Sequence, residues 1–381
     1  MFLVPHVHSP SRSRASALGV IACVMGALAL SGCDDSGSST SIVEANFGDL
    51  SCSIPENEMA SGGVPPDGIP ALNDPEFVSP DDSSVDYLLE TDRVIGILHE
   101  GQAWAVPHNV GWWHEIVNTD LPGGPQIAAT YCPLTGSSLV FDREVVGGAT
   151  LGVSGILFQN NLVMFDRNEP SSLWFQMHRE ARCGPADGTP FPMVAAFDMR
   201  WGAWKDLHPE TLVVTGDLGR GRDYTLYPYG NYEQSQELLI PMPGIDDSRF
   251  RKERVLGVPE DDNAGGVLFP FGILRQAAPG SLAVAEAQAR GGNVVVFWDQ
   301  NADAAMAFRP RINGSDLSFR VDDDRIVDRE TESVWRLDGL AVAGEFEGER
   351  LQPIAEAYTA FWFAWRAFHP ESVVWELPGG S

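Results

Sequence analysis

Arg93-Val94-Ile95-Gly96-Ile97 and Arg254-Val255-Leu256-Gly257-Val258 carry one pattern at two places, 161 positions apart. Trp204 followed by Leu207-His208-Pro209-Glu210-Thr211-Leu212-Val213-Val214 matches Trp365 followed by Phe368-His369-Pro370-Glu371-Ser372-Val373-Val374 at the same offset. Between them, Asp166-Arg167 with Ser172-Leu173-Trp174 echoes Asp328-Arg329 with Ser333-Val334-Trp335. Matches in one order at nearly one offset predict an internal repeat. The expected halves are residues 86–250 and 251–381. No polar linker separates them, so they are expected to pack as one pseudo-symmetric unit.

Short apolar runs of strand length fill both halves, such as Leu139-Val140-Phe141, Leu162-Val163-Met164-Phe165 and Val294-Val295-Val296-Phe297-Trp298. Gly and Asp punctuate them at short intervals, which predicts a mainly β, β-rich α+β fold. Helical pieces are expected only at Pro107–Val117, Trp201–Leu207 and Ala355–Phe368. Gly152-Val153-Ser154-Gly155 followed by Asn160-Asn161 reads as a hairpin with a polar turn.

The N-terminus reads as an export signal. His6, His8, Arg12 and Arg14 precede an apolar run from Ala15 to Leu30, which ends in Leu30-Ser31-Gly32-Cys33. A positive flank, a short apolar core and small residues before a cut are the marks of secretion. The cysteine after Leu-Ser-Gly resembles a bacterial lipobox. Residues 1–32 are therefore expected to be a lipoprotein signal peptide, and Cys33 the lipidated residue anchoring the chain to a membrane. Asp34 behind it would favour retention at the inner membrane under the enteric rule. The chain would face the periplasm or the exterior. Residues 33–85, rich in Ser, Gly, Pro and Asp, read as a flexible tether.

The whole chain carries 25 Lys and Arg against 53 Asp and Glu, a formal charge of −28. Removing the signal takes away two arginines and no acid, which leaves −30. Phosphate backbones would be repelled by such a chain, so nucleic acid is excluded as a partner. No Walker loop, dinucleotide fingerprint or His-Glu-x-x-His motif is present. The Ser154 segment lacks the spacing of a nucleophile elbow.

The densest chemistry lies in Thr130-Tyr131-Cys132-Pro133-Leu134-Thr135-Gly136-Ser137-Ser138. A cysteine followed by proline, with Thr135 three places on, reads as a Cys-x-x-Cys turn whose second thiol is replaced. Backbone N–H groups of such a turn can stabilise a thiolate. Cys183 is the expected partner of Cys132, as a disulfide or redox couple, because export makes a bond chemically reasonable. Cys52 is then the expected odd thiol. A shared metal site is the second option, with Met177, His178 and His208 as further ligands for a soft metal; the metal itself is not specified. Thr135 and His178 are the expected binding residues. His208 recurs as His369 in the half without cysteine, which argues for a structural role. His114 and Glu115, after Gly111-Trp112-Trp113, would either cap a helix or face a pocket.

Residues 90–376 resemble the domain of unknown function 3179 family. The resemblance rests on the Cys132 turn, Phe141-Asp142-Arg143, Gly152-Val153-Ser154-Gly155, Asn161 to Arg167, Ser172-Leu173-Trp174 and the two His-Pro segments. Many members carry Cys-Pro-Leu-Cys-Gly at this turn, and some place selenocysteine there. The resemblance thus implies redox or metal chemistry at Cys132. Thr135 in the second thiol position departs from that pattern. Three functions stay open: a thiol oxidoreductase or peroxide-handling enzyme, a metal-binding or metal-delivery lipoprotein, and a partner-binding module stapled by a disulfide. Neither cofactor nor substrate is specified by the sequence.

Overall fold

The β-branched residues of Arg93–His99 form a strand that turns back onto Gln102–Pro107. The two residues of the turn, Glu100 and Gly101, both have positive φ. That is the type I′ geometry whose twist matches a β-hairpin. The same device closes Phe158 onto Asn161 through Gln159-Asn160, and Ala289 onto Gly292 through Arg290-Gly291. The structure, a computed structural model, describes residues 41–261 and 264–377.

The architecture is a mixed α+β, β-rich fold with several sheets and five short helices among the described residues. The helices are α1 (Ile42–Phe47), α2 (His108–His114), α3 (Trp201–Leu207), α4 (Phe271–Ala277) and α5 (Trp362–Phe368). The third expected helix is shorter than its aromatic pattern suggested, because Tyr358–Phe361 is a strand that leads into α5.

One sheet runs in the order Ala196–Arg200, Arg93–His99, Gln102–Pro107, Leu212–Val214 and Phe77–Val78. Another runs Tyr358–Phe361, Arg254–Pro259, Gly266–Pro270 and Val373–Val374. In each, the outer strand 196–200 or 358–361 is antiparallel to its neighbour, and the short strand 212–214 or 373–374 is parallel to its own. Trp204 on α3 lies flat on Gly96, where an added Cβ would come within 2.3 Å of the ring. Trp365 on α5 lies on Gly257 in the same way, at 2.1 Å. Each glycine is therefore demanded by the close approach of an indole, and not by a turn. The indole N–H groups donate to Thr211 and Ser372.

The core crosses the middle of the chain. Trp174, Phe175 and Met164 pack in one apolar cluster with Phe361, Trp365 and Phe368. Val94, Met199 and Trp204 pack in another with Phe297, Phe308 and Trp335. The described residues accordingly form one compact unit. Asp166 accepts from the Trp174 indole at 2.7 Å, and Asp328 from the Trp335 indole at 2.9 Å. These buried carboxylates hold their turns together.

The expected tether is corrected from residue 41 onward. Met59–Ser61 pairs with Leu151–Phe158, Leu72–Asn73 with Ile116–Asp120, and Phe77–Val78 with Leu212–Val214. Val43, Ile54, Met59, Leu72 and Val85 are buried. A segment too polar to make its own core is ordered here by lending its backbone to the edges of sheets built elsewhere. Cys33, Asp34 and the export signal lie outside the described residues. Among the described residues no helix is long and apolar enough to cross a membrane.

Candidate functional site

Cys132 ends the strand Gln126–Cys132, and Ser137 begins its partner Ser137–Asp142. The turn between them is tight, with the Thr135 N–H donating to the Cys132 carbonyl at 3.3 Å. Gly136 stands at φ 58°, where a Cβ would meet the Phe361 ring at 2.5 Å. The Phe361 N–H donates to the Thr135 carbonyl at 2.8 Å, which ties the turn to the strand before α5.

Behind the turn lies a saturated polar network. Thr135 and Ser137 hydroxyls are 2.9 Å apart, and Asn161 Nδ2 donates to Thr135 Oγ1 at 2.9 Å. Ser137 Oγ and Asn161 Nδ2 both donate to Gln176 Oε1, whose own Nε2 donates to Thr130. Buried hydroxyls and amides of this kind are satisfied only in one arrangement, so the network fixes the turn.

The Cys132 thiol is free and 1% exposed. It lies 3.7 Å from the Asn160 carbonyl, to which it donates weakly. Burial pushes it up to about 11, assisted by the charge of Glu115, while the Thr135 hydroxyl and the N–H groups of Thr135 and Leu134 pull it down. The expected stabilisation by turn amides is present, but burial outweighs it. At neutral pH the resting group is a thiol.

The expected Cys132–Cys183 pair is corrected. Cys183 is bonded to Cys52, with Cα atoms 4.0 Å apart. The reason is backbone pairing. Residues 51–53 run antiparallel to 182–184, with Ser53 N–H donating to the Arg182 carbonyl and Gly184 N–H to the Ser51 carbonyl. That register sets the two sulfurs side by side. Cys132 is thus the odd thiol among the described residues, and Cys183 cannot resolve it while the bond stands.

His178 is half-buried among the rings of Phe158, Phe175 and Phe368. Burial and the nearby Arg182 and Arg179 push it down to about 4, so it is neutral. His208 packs on Trp204 and lies 3.4 Å from Asp338. His369 meets the Tyr358 hydroxyl at 2.7 Å. The proposed soft-metal set is not assembled: among the described residues no three His, Cys, Asp or Glu side chains are gathered.

A buried Ser138–His108–Asp198 group also occurs. Ser138 Oγ donates directly to Asp198 at 2.6 Å, with His108 Nε2 at 3.2 Å from the serine and 3.4 Å from the aspartate. In a nucleophilic triad the histidine stands between the other two. Here the serine proton is committed to the acid, which Arg93 also holds at 2.7 Å. Burial would raise Asp198, but Arg93 and His108 together hold it far below the usual range. This is a structural network.

Two features near the Cys132 turn were not tied to it by the sequence. The first is Glu115. It follows α2 in the left-handed conformation, φ 57°, and is 7% exposed. Its backbone carbonyl accepts from Tyr131 N–H, next to Cys132. Among the described residues nothing donates a hydrogen bond to its carboxylate, and burial alone pushes it up to about 8. His114, by contrast, is fully engaged by the Pro70 carbonyl and the Tyr224 hydroxyl. The second is residues 215–253, a long connection whose one helical turn is Tyr232–Gln234. Tyr232 Oη donates to the Leu134 carbonyl inside the turn, and Asn160 exchanges two hydrogen bonds with Ile240. Lys252 grips the Ser235 and Glu237 carbonyls and stands over the Tyr232 ring. This strap covers the thiol. Its composition was the visible signal, since four of the chain's seven tyrosines fall at 224, 227, 229 and 232.

No curated protein and no solved structure matches this chain. A family model described as a protein of unknown function, DUF3179, matches residues 66–372. That stretch holds the Cys132 turn, the polar network behind it, Glu115 and the strap, and it is most of the chain: the protein belongs to the DUF3179 family.

Proposed function

We propose that this protein is an exported lipoprotein that carries out single-thiol redox chemistry at Cys132. The observation that carries this reading is the contrast between the cysteines. Cys52 and Cys183 are consumed in a bond, while Cys132 stays free in a turn that aims two N–H groups and a hydroxyl at its sulfur. The Cys52–Cys183 bond is then a structural staple. It also supports the compartment, because such bonds persist outside the reducing cytoplasm. Anchoring through a lipidated Cys33, with the body facing the periplasm or exterior and Asp34 favouring the inner membrane, completes the reading.

The chain is further proposed to be an internal duplication, 86–250 and 251–381. Support comes from the like order and sense of the two sheets and from the paired Gly96–Trp204 and Gly257–Trp365 contacts. The Asp166–Trp174 and Asp328–Trp335 bonds agree. Only the first half holds the thiol, so the chemistry belongs to one copy of the scaffold.

In the proposed reaction an organic hydroperoxide converts the Cys132 thiol to a sulfenic acid and leaves as its alcohol. An external thiol then condenses with the sulfenic acid, releasing water, and a second thiol frees the Cys132 thiol as the external disulfide departs. The test is intact-mass analysis of the full chain after hydroperoxide. The expected result is a gain of one oxygen on Cys132, reversed by added thiol and absent in Cys132→Ser. An unmodified Cys132 after prolonged exposure would sink the proposal and leave a stapled, partner-binding module as the better reading.

A further inference from the structure

We propose that Asn160 is the latch between the strap and the Cys132 thiol: its side chain holds the strap shut, and its carbonyl holds the thiol proton. The proposal rests on the redox reading of that thiol and names what regulates access to it. Each link is a hydrogen bond. The Cys132 thiol donates to the Asn160 carbonyl at 3.7 Å. Asn160 Nδ2 donates to the Ile240 carbonyl at 2.8 Å, and the Ile240 N–H donates back to Asn160 Oδ1 at 2.7 Å. One residue therefore touches the sulfur through its backbone and the strap through its side chain.

Its placement fits that task. Gln159 and Asn160 form the turn between the strands Leu151–Phe158 and Asn161–Asp166, and both have positive φ. Such a turn favours glycine at the second of these positions, so the backbone has no need of an amide there. The Asn160 residue is 1% exposed, and its amide is spent on Ile240. The strap is lightly held around it. Tyr232 Oη reaches the Leu134 carbonyl, and Glu233 accepts from Arg254 at 2.9 Å. Tyr229, Leu238, Ile240 and Met242 lie only partly buried against the apolar cluster that contains Cys132. A segment with so little regular pairing opens at lower free energy than the sheets beneath it.

The closed arrangement keeps the sulfur inert. A carbonyl oxygen accepts from a thiol and opposes a thiolate, so this contact favours the protonated form. The Thr135 hydroxyl and the N–H groups of Thr135 and Leu134 favour the thiolate, and they remain with the turn when the strap leaves. Release of Ile240 frees the tip of the hairpin to turn its carbonyl away and admits the hydroperoxide. The turn donors are then left to stabilise the thiolate. Opening of the strap thus precedes oxidation.

Asn160→Gly keeps the turn and deletes both bonds to Ile240. Iodoacetamide tests it on the full chain without any oxidant: the S–C bond forms, iodide leaves and the thiol proton goes to water. At fixed pH, alkylation of Cys132 should rise about fivefold to a hundredfold, the worth of two neutral hydrogen bonds. Amide hydrogen exchange across residues 232–242 should speed by the same factor, with exchange in 151–158 and 161–166 unchanged. Unchanged alkylation overturns the latch, and so does faster exchange in the hairpin with the strap unaffected. The parent supplies a second measurement. The S–H infrared band of Cys132, identified by its loss in Cys132→Ser, should lie below that of an unbonded thiol; a band at the unbonded frequency overturns the proposal as well. Oxidation by hydroperoxide is scored separately. If Asn160→Gly alkylates faster and neither protein gains oxygen, the redox reading fails and the latch stands; if both gain oxygen at one rate, the reverse holds.

Discussion

Cys52 and Cys183 are bonded across 131 positions of sequence, and the bond pins the N-terminal segment to the edge strand Glu180–Cys183. Cross-linking a loop of that length removes much of the freedom of the unfolded chain. The double variant Cys52→Ala/Cys183→Ala is expected to lose about 2–5 kcal/mol of stability. Denaturant unfolding of oxidised and reduced protein measures this. Because Cys132 lies on a different strand, its reactivity in the folded double variant should match that of the parent.

Gly96 and Gly257 should be intolerant of even a methyl group. The indoles of Trp204 and Trp365 occupy the space a Cβ needs, and both rings are fully buried. Gly96→Ala and Gly257→Ala are each expected to cost about 1–3 kcal/mol through overpacking. Thermal melts of the two variants provide the comparison. A loss at one site only would count against the proposed equivalence of the two sheets.

The strap over Cys132 is held in part by the hydrogen bond from Tyr232 to the Leu134 carbonyl, 2.9 Å long. Tyr232→Phe removes that bond and keeps the ring under Lys252. A hydrogen bond of this kind contributes about 0.5–1.5 kcal/mol. Opening of the strap, read as the labelling rate of Cys132 at fixed pH, should therefore rise by about twofold to tenfold, with the melting temperature nearly unchanged.

Glu115 makes stability depend on pH. Its folded pKa, about 8, stands above the ordinary glutamate value of 4.5 because burial disfavours the charged form. Below about pH 4.5 both states hold the proton and the folded state is unpenalised. As pH rises towards 8 the unfolded chain releases the proton first, so stability falls by a few kcal/mol and then levels off. Glu115→Gln should remove this loss. The variant's stability relative to the parent should grow from pH 5 to pH 8, by denaturant unfolding at each pH.

Much of the fold was legible. The hairpin at Asn160, the helices at 108–114 and 201–207, and the turn at Cys132 follow from local patterns of apolar residues, glycines and prolines. The paired tryptophans, histidines and aspartates were legible because the same short patterns occur twice in the sequence. The site was harder. The partner of Cys183 follows from a short backbone pairing between distant segments, and nothing local marks Cys52 as its neighbour. Glu115 was visible only as one of the two polar residues after Trp113. Its difference from His114 lies in what surrounds it: His114 meets a carbonyl and a hydroxyl, and Glu115 meets neither.

The amino-acid sequence by itself determined the β-rich class, the family and the turn that carries Cys132, because these depend on periodicity and on residues adjacent in the chain. Tertiary structure alone decided which sulfurs bond, which segment covers the remaining thiol, and which carboxyl is drawn out of water. Those outcomes depend on strand register and burial, and both arise only when segments far apart in the chain compete for the same edges and the same dry interior.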